Sequence, residues 1–168
     1  MSPVAAVDIG SNSVRLLIVG EGLRELCREM HITRLAEGVD RTGSLGEAAM
    51  ARTLSVLEGF GQSIARHGAT RVRVTGTSAA RDAQNRDEFF RRVQAAVGSA
   101  PELLSGGAEA ALAFAGATAD RAGSEGPFVT LDIGGGDSPT CLSIRSVAES
   151  PSNKGFPVRI SWTIAPSA

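Results

Sequence analysis

Apolar and polar positions alternate along the first third of the chain and then change to helical spacing. Val4 to Val7 is a short apolar run closed by Asp8, and Asp-Ile-Gly-Ser-Asn-Ser follows it. This reads as a strand entering a tight turn. Val14–Val19 predicts a second strand. Gly20 and Gly22 suggest a hairpin turn, and Leu23–Ile32 alternates as a third strand. Residues 39–43 read as loop. Ser44 is placed to cap a helix, with Glu47 three residues on completing a capping-box pattern. Leu54, Leu57 and Ile64 keep helical spacing up to His67, and Gly68 ends the run.

Arg71–Thr75 returns to alternation. Asn85 opens a second helix that carries Phe89, Phe90, Val93 and Val97, stopped by Gly98. Glu102–Leu104 is a short strand after Pro101, and Ala108–Ala117 is alanine-rich and helical. Residues 123–127 form a linker, and Phe128–Asp132 is a last buried strand running into Ile133-Gly134-Gly135-Gly136. Three strands followed by alternating helices and strands predict an α/β domain with a mixed sheet.

Length and charge narrow this picture. A chain of 168 residues suits one domain with a real core. Its net charge of -1 argues against broad nucleic-acid binding, which needs a basic face. Cys27 and Cys141 lie far apart without CxxC spacing, which fits reduced thiols and disfavours a zinc site. There is no basic, apolar leader and no run of about 20 apolar residues, so the expected location is the cytoplasm, away from membranes.

The chemistry is suggested by an internal echo. Val4-Ala5-Ala6-Val7-Asp8-Ile9-Gly10 is matched by Phe128-Val129-Thr130-Leu131-Asp132-Ile133-Gly134. Each is an apolar strand that delivers an Asp and then a glycine into a turn. The glycine permits close backbone approach, and the small residues after it expose N–H groups and hydroxyls. Such turns suit phosphate oxygens, and a nearby Asp can hold a hydrated divalent cation. One Asp-x-Gly turn is commonplace; two of the same form in one domain carry more weight. A Walker A loop is excluded because the only lysine is Lys154. A dinucleotide fingerprint fails because Pro139 stands where its last glycine belongs.

Five segments in order carry a family resemblance over about residues 4–136. Val7–Leu17 looks like the opening phosphate loop of the exopolyphosphatase/guanosine-pentaphosphate phosphohydrolase family, and Arg34–Gly43 resembles its R-L-G-x-G-V-D-x-T-G segment. Thr75–Ala83 with Asn85 resembles its T-S-A-x-R-D-A-x-N signature. Ser105–Ala110 is similar to its S-G-x-x-E-A helix start, and Asp132–Gly136 to its second phosphate loop. The resemblance implies a ribonuclease-H-like (actin/hexokinase-like) lobe with a mixed five-stranded sheet flanked by helices. It also implies release of terminal orthophosphate from polyphosphate or guanosine pentaphosphate, with Mg²⁺ assisting.

By the same resemblance, Glu109 is the general base for the attacking water and Arg81 steadies phosphoryl charge. Asp132 is the Mg²⁺-associated aspartate, and Asp8, Gly10, Ser11, Asn12, Gly134 and Gly135 surround the phosphate. Plain alternatives exist. Glu109 also reads as a solvated first-turn glutamate favoured by the helix dipole, Arg81 as a surface arginine paired with Asp82 or Asp87, and Ser78 as a turn cap. His31 and His67 match no catalytic position of the family and read as a strand residue and a helix-end residue. Phe89 and Phe90 read as core.

After Gly136 the family continues with Ser-Thr-Glu and a second lobe, whereas this chain reads Asp137-Ser138-Pro139 and ends at Ala168. The expected organisation is therefore a lobe at 1–136 and a divergent tail at 137–168. The tail reads as a truncated, frameshifted product, with a natural short variant or a cropped chain as alternatives. Asp137 and Pro139 would weaken the second phosphate site. A non-catalytic phosphate- or partner-binding remnant is the second reading. A sugar or acetate kinase lobe is a third, disfavoured by the T-S-A-x-R-D-A signature. Asp8 and Asp132 are expected to end neighbouring strands, with Arg81 and Glu109 opening onto the same cleft. The face left bare by a missing lobe would favour a homodimer or looser self-association.

Overall fold

The computed structural model describes residues 2–76, 80–81, 83–119, 130–132 and 143–145. It divides into two units, Met1–Leu104 and Ser105–Ala168. The expected boundary at residue 136 lies outside the described residues.

The first unit is built on strands β1 (Val4–Ile9), β2 (Ser13–Val19), β3 (Glu25–Ile32), β4 (Arg71–Gly76) and β5 (Pro101–Leu103), with helices α1 (Val39–Thr42), α2 (Glu47–Arg66) and α3 (Arg86–Val97). The sheet order is β3-β2-β1-β4-β5. β1–β2 and β2–β3 are antiparallel, and β1–β4 and β4–β5 are parallel. This is the mixed sheet the alternation predicts, with the five strands the family resemblance implies.

One face of the sheet is apolar because its strands alternate. Ala5, Val7, Ile9, Val14, Leu16, Ile18 and Val74 are buried in one core with Leu57, Phe60 and Ile64 of α2 and with Phe89, Val93 and Val97 of α3. At about 25 cal/mol per Å² of apolar surface removed from water, this core is the main stabilising element. The two helices pack closely at Gly61, where any Cβ would collide with the Ala96 carbonyl oxygen. On β3, Met30 and Ile32 are exposed on one side of a strand that ends the sheet. No helix among the described residues is long and apolar enough to cross a membrane.

Several local expectations are corrected. The hairpin expected between β2 and β3 forms, through a 3₁₀ turn at Glu21–Leu23, so β3 starts at Glu25 and not at Leu23; Gly22 takes a left-handed φ of 63° and Leu23 follows at 59°. The segment at 39–43 is a short helix, entered at Gly38 and left at Gly43, both left-handed. Ser44 does not cap α2, whose N-cap is Gly46 with no side-chain bond. Ser44 is instead tied to Thr42, whose Oγ1 donates to the Ser44 carbonyl at 2.9 Å. Glu47 pairs with Arg92 at 3.0 Å rather than turning back on its own helix. Asn85 stands at the N-cap of α3, yet its side chain makes no cap bond; its amide is spent on Leu45, as described below.

The second unit contains α4 (Gly106–Thr118) and a two-stranded antiparallel sheet of β6 (Thr130–Asp132) and β7 (Ser143–Arg145). Asp132 thus ends a strand paired with β7, while β1 is flanked by β2 and β4. The expectation that Asp8 and Asp132 end neighbouring strands is therefore not met. The parallel neighbour that β1 takes comes from the nearer segment 71–76, which matches it over six residues.

Candidate active site

The β1–β2 turn is tight because Gly10 makes it so. The Gly10 N–H donates to the Ser13 carbonyl at 2.8 Å, and a Cβ on Gly10 would lie 2.5 Å from that oxygen. No other residue fits without opening the turn. The turn is held from outside by the segment after β3. The Asn12 carbonyl accepts from the N–H groups of Thr33 and Arg34, each at 2.9 Å, and the Ser11 carbonyl accepts from Ala36 at 2.9 Å. With the carbonyl oxygens so engaged, the trans peptide turns the Asn12 N–H to the opposite side. The arrangement turns the Asn12 N–H to one side of the turn and consumes carbonyl acceptors on the other, as suits an anion.

Asp8 sits on the sheet face opposite the helices, at the end of β1, with an exposed carboxylate. Its Oδ1 accepts from the Thr75 hydroxyl at 3.2 Å, and Arg15 is its cross-strand partner. The structure thus places Asp8 at the end of β1 and Gly10, Ser11 and Asn12 in the turn that follows. Among the described residues no group of three His, Cys, Asp or Glu side chains could form a metal cage. A hydrated Mg²⁺ needs only one or two carboxylates.

Arg81 is exposed, and its Nη2 donates to the Leu104 carbonyl at 2.7 Å, which ties the segment after β4 to the end of β5. The proposed pairing with Asp87 is not made; Arg86 takes that carboxylate at 3.0 Å. Asp82 and Ser78 lie outside the described residues. In the second unit, Ser105 caps α4, its hydroxyl accepting from the Ala108 N–H at 3.2 Å. Glu109 follows in the first turn, exposed, its N–H donating to the Ser105 carbonyl at 2.9 Å. Asp132 is the last residue of β6. Gly134 and Gly135 lie outside the described residues.

Two polar constructions escape sequence reading. Asn85 reaches back across 40 residues: Leu45 N–H donates to its Oδ1 and its Nδ2 donates to the Leu45 carbonyl, both at 2.9 Å. Glu29, on the helix-covered side of β3, accepts from Ser63 of α2 at 2.9 Å and from the Cys27 thiol at 3.3 Å, and lies 3.7 Å from His31. Burial pushes the Glu29 carboxyl up, but the hydrogen bonds from Ser63 and Cys27, with His31 close by, outweigh it and hold the group below the usual glutamate range. Burial, and then the neighbouring Glu29, push the Cys27 thiol up, so the thiolate is disfavoured. The only hint in the sequence is the alternation Cys-x-Glu-x-His within a strand. His31 and His67 take the strand and helix-end places expected of them, His67 contacting the Ser63 carbonyl through Nδ1 at 2.8 Å.

Residues 16–151 match the model of the Ppx/GppA phosphatase family. The chain belongs to this family. It is similar to Exopolyphosphatase 2 of Mycobacterium tuberculosis, with 42% identity over 162 residues, 89% of this chain and 51% of that protein. It is also similar to the guanosine-5'-triphosphate,3'-diphosphate pyrophosphatase of Aeromonas hydrophila, with 34% identity over 86% of this chain and 30% of that protein. The crystal structure of the Aquifex aeolicus Ppx/GppA family member superposes with a TM-score of 0.70 at 36% identity, covering 80% of this chain and 45% of that one. The ribonuclease-H-like fold of the Ppx/GppA lobe is thereby established. The chain spans about half the length or less of the curated relatives it matches.

Proposed function

We propose that this Ppx/GppA chain supplies the phosphate-loop half of a phosphohydrolase that releases orthophosphate from the end of inorganic polyphosphate or guanosine pentaphosphate. The observation that carries the reading is the β1–β2 turn. Its carbonyls are tied back to residues 33–36, and it follows directly on the end of β1, where Asp8 is exposed. In this reading Ser11, Asn12 and the glycines of the second loop, Gly134 and Gly135, hold the terminal phosphoryl oxygens. Arg81 offsets the charge that builds on them. Glu109 accepts the proton of a water attacking phosphorus. The bond to the bridging oxygen breaks, and its electrons leave with the shortened chain. Asp132 would hold a hydrated Mg²⁺, which supplies charge neutralisation for the phosphates. The exposed Asp8 carboxylate, oriented by Thr75, stands at the end of β1 just before the first phosphate loop.

The reading is tested by orthophosphate release from polyphosphate in Mg²⁺, with protein in stoichiometric amount so that slow turnover is measurable. Glu109→Gln is expected to fall below wild type by about 10²-fold or more; equal rates remove Glu109 from the mechanism. A second reading is a phosphate-binding lobe without turnover. It is favoured by the turn itself, whose engaged carbonyls and outward Asn12 N–H suit anion binding without requiring catalysis. Tripolyphosphate binding without any release of orthophosphate decides for it.

A further inference from the structure

Arg34 has a backbone that an arginine does not choose. Its φ is 50°, and Leu23 is the one other non-glycine residue with positive φ among those described. Left-handed backbone disfavours any residue with a Cβ, and glycine would be relaxed there. Leu23 belongs to an exposed turn that begins at Gly22. Arg34, by contrast, is fastened to the candidate phosphate loop: its N–H donates to the Asn12 carbonyl at 2.9 Å, and its own carbonyl accepts from Glu37 at 3.1 Å. The neighbours on either side, Thr33 and Ala36, are bound to the same turn, and Thr33 and Leu35 are buried.

The charge at this position is also uncommitted. Arg28, Arg52, Arg73, Arg86 and Arg92 are each paired with a carboxylate. Arg52, which packs on the same segment, spends its guanidinium on the Thr33 carbonyl at 3.2 Å and on Glu37 at 2.8 Å. The Arg34 side chain is exposed and has no such partner among the described residues. The result is a guanidinium without a carboxylate partner among the described residues, on a strained, well-anchored backbone whose N–H is bonded to the candidate phosphate turn. Strained backbone that the surroundings over-determine gathers at ligand sites, and a guanidinium matches phosphate oxygens in geometry as well as charge.

We propose that Arg34 is a substrate-binding residue of this site, its guanidinium taking the phosphates of a polyphosphate-type anion that lies against the Ser11–Asn12 turn. The inference rests on the phosphate-loop reading above and adds a residue to it.

The position allows a clean test. Arg34→Gly removes the guanidinium and relieves the left-handed strain, while the freer unfolded chain opposes that gain. The melting temperature is therefore expected to stay within about 4 °C of wild type. Tripolyphosphate is titrated calorimetrically into the 168-residue chain, its Arg34→Gly variant and its Arg34→Lys variant. The expected result is binding by wild type, about tenfold weaker binding by Arg34→Gly, and partial recovery in Arg34→Lys. Equal affinity of wild type and Arg34→Gly overturns the role of Arg34 and leaves the phosphate-loop reading standing. No binding by wild type overturns both for this chain. Weakened binding together with a large fall in melting temperature, unrelieved in Arg34→Lys, shows a structural role instead and also overturns the inference.

Discussion

The two faces of the five-stranded sheet are composed from alternate residues of the same strands and serve different ends. On the helix-covered face stand Val7, Ile9, Val14, Leu16 and Ile18, all apolar and all buried. On the other face the same two strands present Ala6, Asp8, Arg15 and Leu17, none of them buried. The covered face holds the fold, and the open face ends at the turn where the candidate chemistry lies. A period of two lets one strand do both without compromise, since a change on one face leaves the other in register.

Leu16 and Leu17 break or confirm that division most directly. They are consecutive, identical in composition and on opposite faces, with Leu16 only 1% exposed. Leu16→Ala is expected to cost about 2–5 kcal/mol, because it leaves a cavity in a packed core. Leu17→Ala is expected to cost about 1 kcal/mol or less. Denaturant melts of the two variants measure both values, and similar losses would show that the open face carries part of the core.

This division was legible in the sequence because alternation is a short-range signal. The strands β1, β2, β4 and β5, the apolar stripes of α2 and α3, and the loop residues Asp8, Gly10, Ser11 and Asn12 all follow from local spacing. Misreadings fell where a competing partner decides. Ser44 and Glu47 have the pattern of a capping box, but Thr42 and Arg92 compete for them. Asn85 has the composition of a cap, but the Leu45 backbone is a better partner because it offers both a donor and an acceptor. The partner of β6 is likewise a matter of tertiary pairing, which the echo of Asp8 in Asp132 does not encode.

The turn at the end of the open face sharpens the comparison next. Gly10→Ala forces a Cβ against the Ser13 carbonyl, a backbone atom that cannot swing aside as a side chain would. The turn must widen, at a cost of about 3 kcal/mol. Because the same widening displaces Ser11 and Asn12, tripolyphosphate binding should fall further than the loss of folded protein explains. Titration at a temperature where the variant remains folded separates the two effects. Undiminished affinity there would show that the turn does not meet the anion.

On the covered side, Asn85 offers a polar counterpart. Asn85→Ala strands the Leu45 N–H and carbonyl beneath a buried leucine, and is expected to cost about 2 kcal/mol. Asn85→Asp keeps the acceptor and loses the donor, so it should fall between alanine and wild type at neutral pH. A chemical melt that ranks aspartate with alanine would assign the stabilisation to the Leu45 carbonyl bond alone.

The smallest effect is expected where the covered face departs from its own rule. Glu29 stands on that face at the outermost strand, and its carboxylate is held by Ser63, Cys27 and His31. Its folded-state value lies below the ordinary 4.5 of glutamate. A carboxyl depressed on folding stabilises the protein above the unfolded value, and that contribution disappears as pH falls through the folded value, where folded and unfolded chains bind the proton alike. Wild type should therefore lose stability between neutral pH and a pH below 4.5 by an amount that Glu29→Gln does not share. Every other carboxylate is common to the two proteins and cancels in the difference. The glutamine amide still accepts from Ser63, so the variant keeps the packing and removes only the ionisation. Paired melting curves from pH 7 downward should show wild type the more stable at pH 7, with the gap narrowing as the solution is acidified. A gap that stays constant would mean that the Ser63 hydrogen bond, and not the charge, is what β3 gains from placing a glutamate against α2.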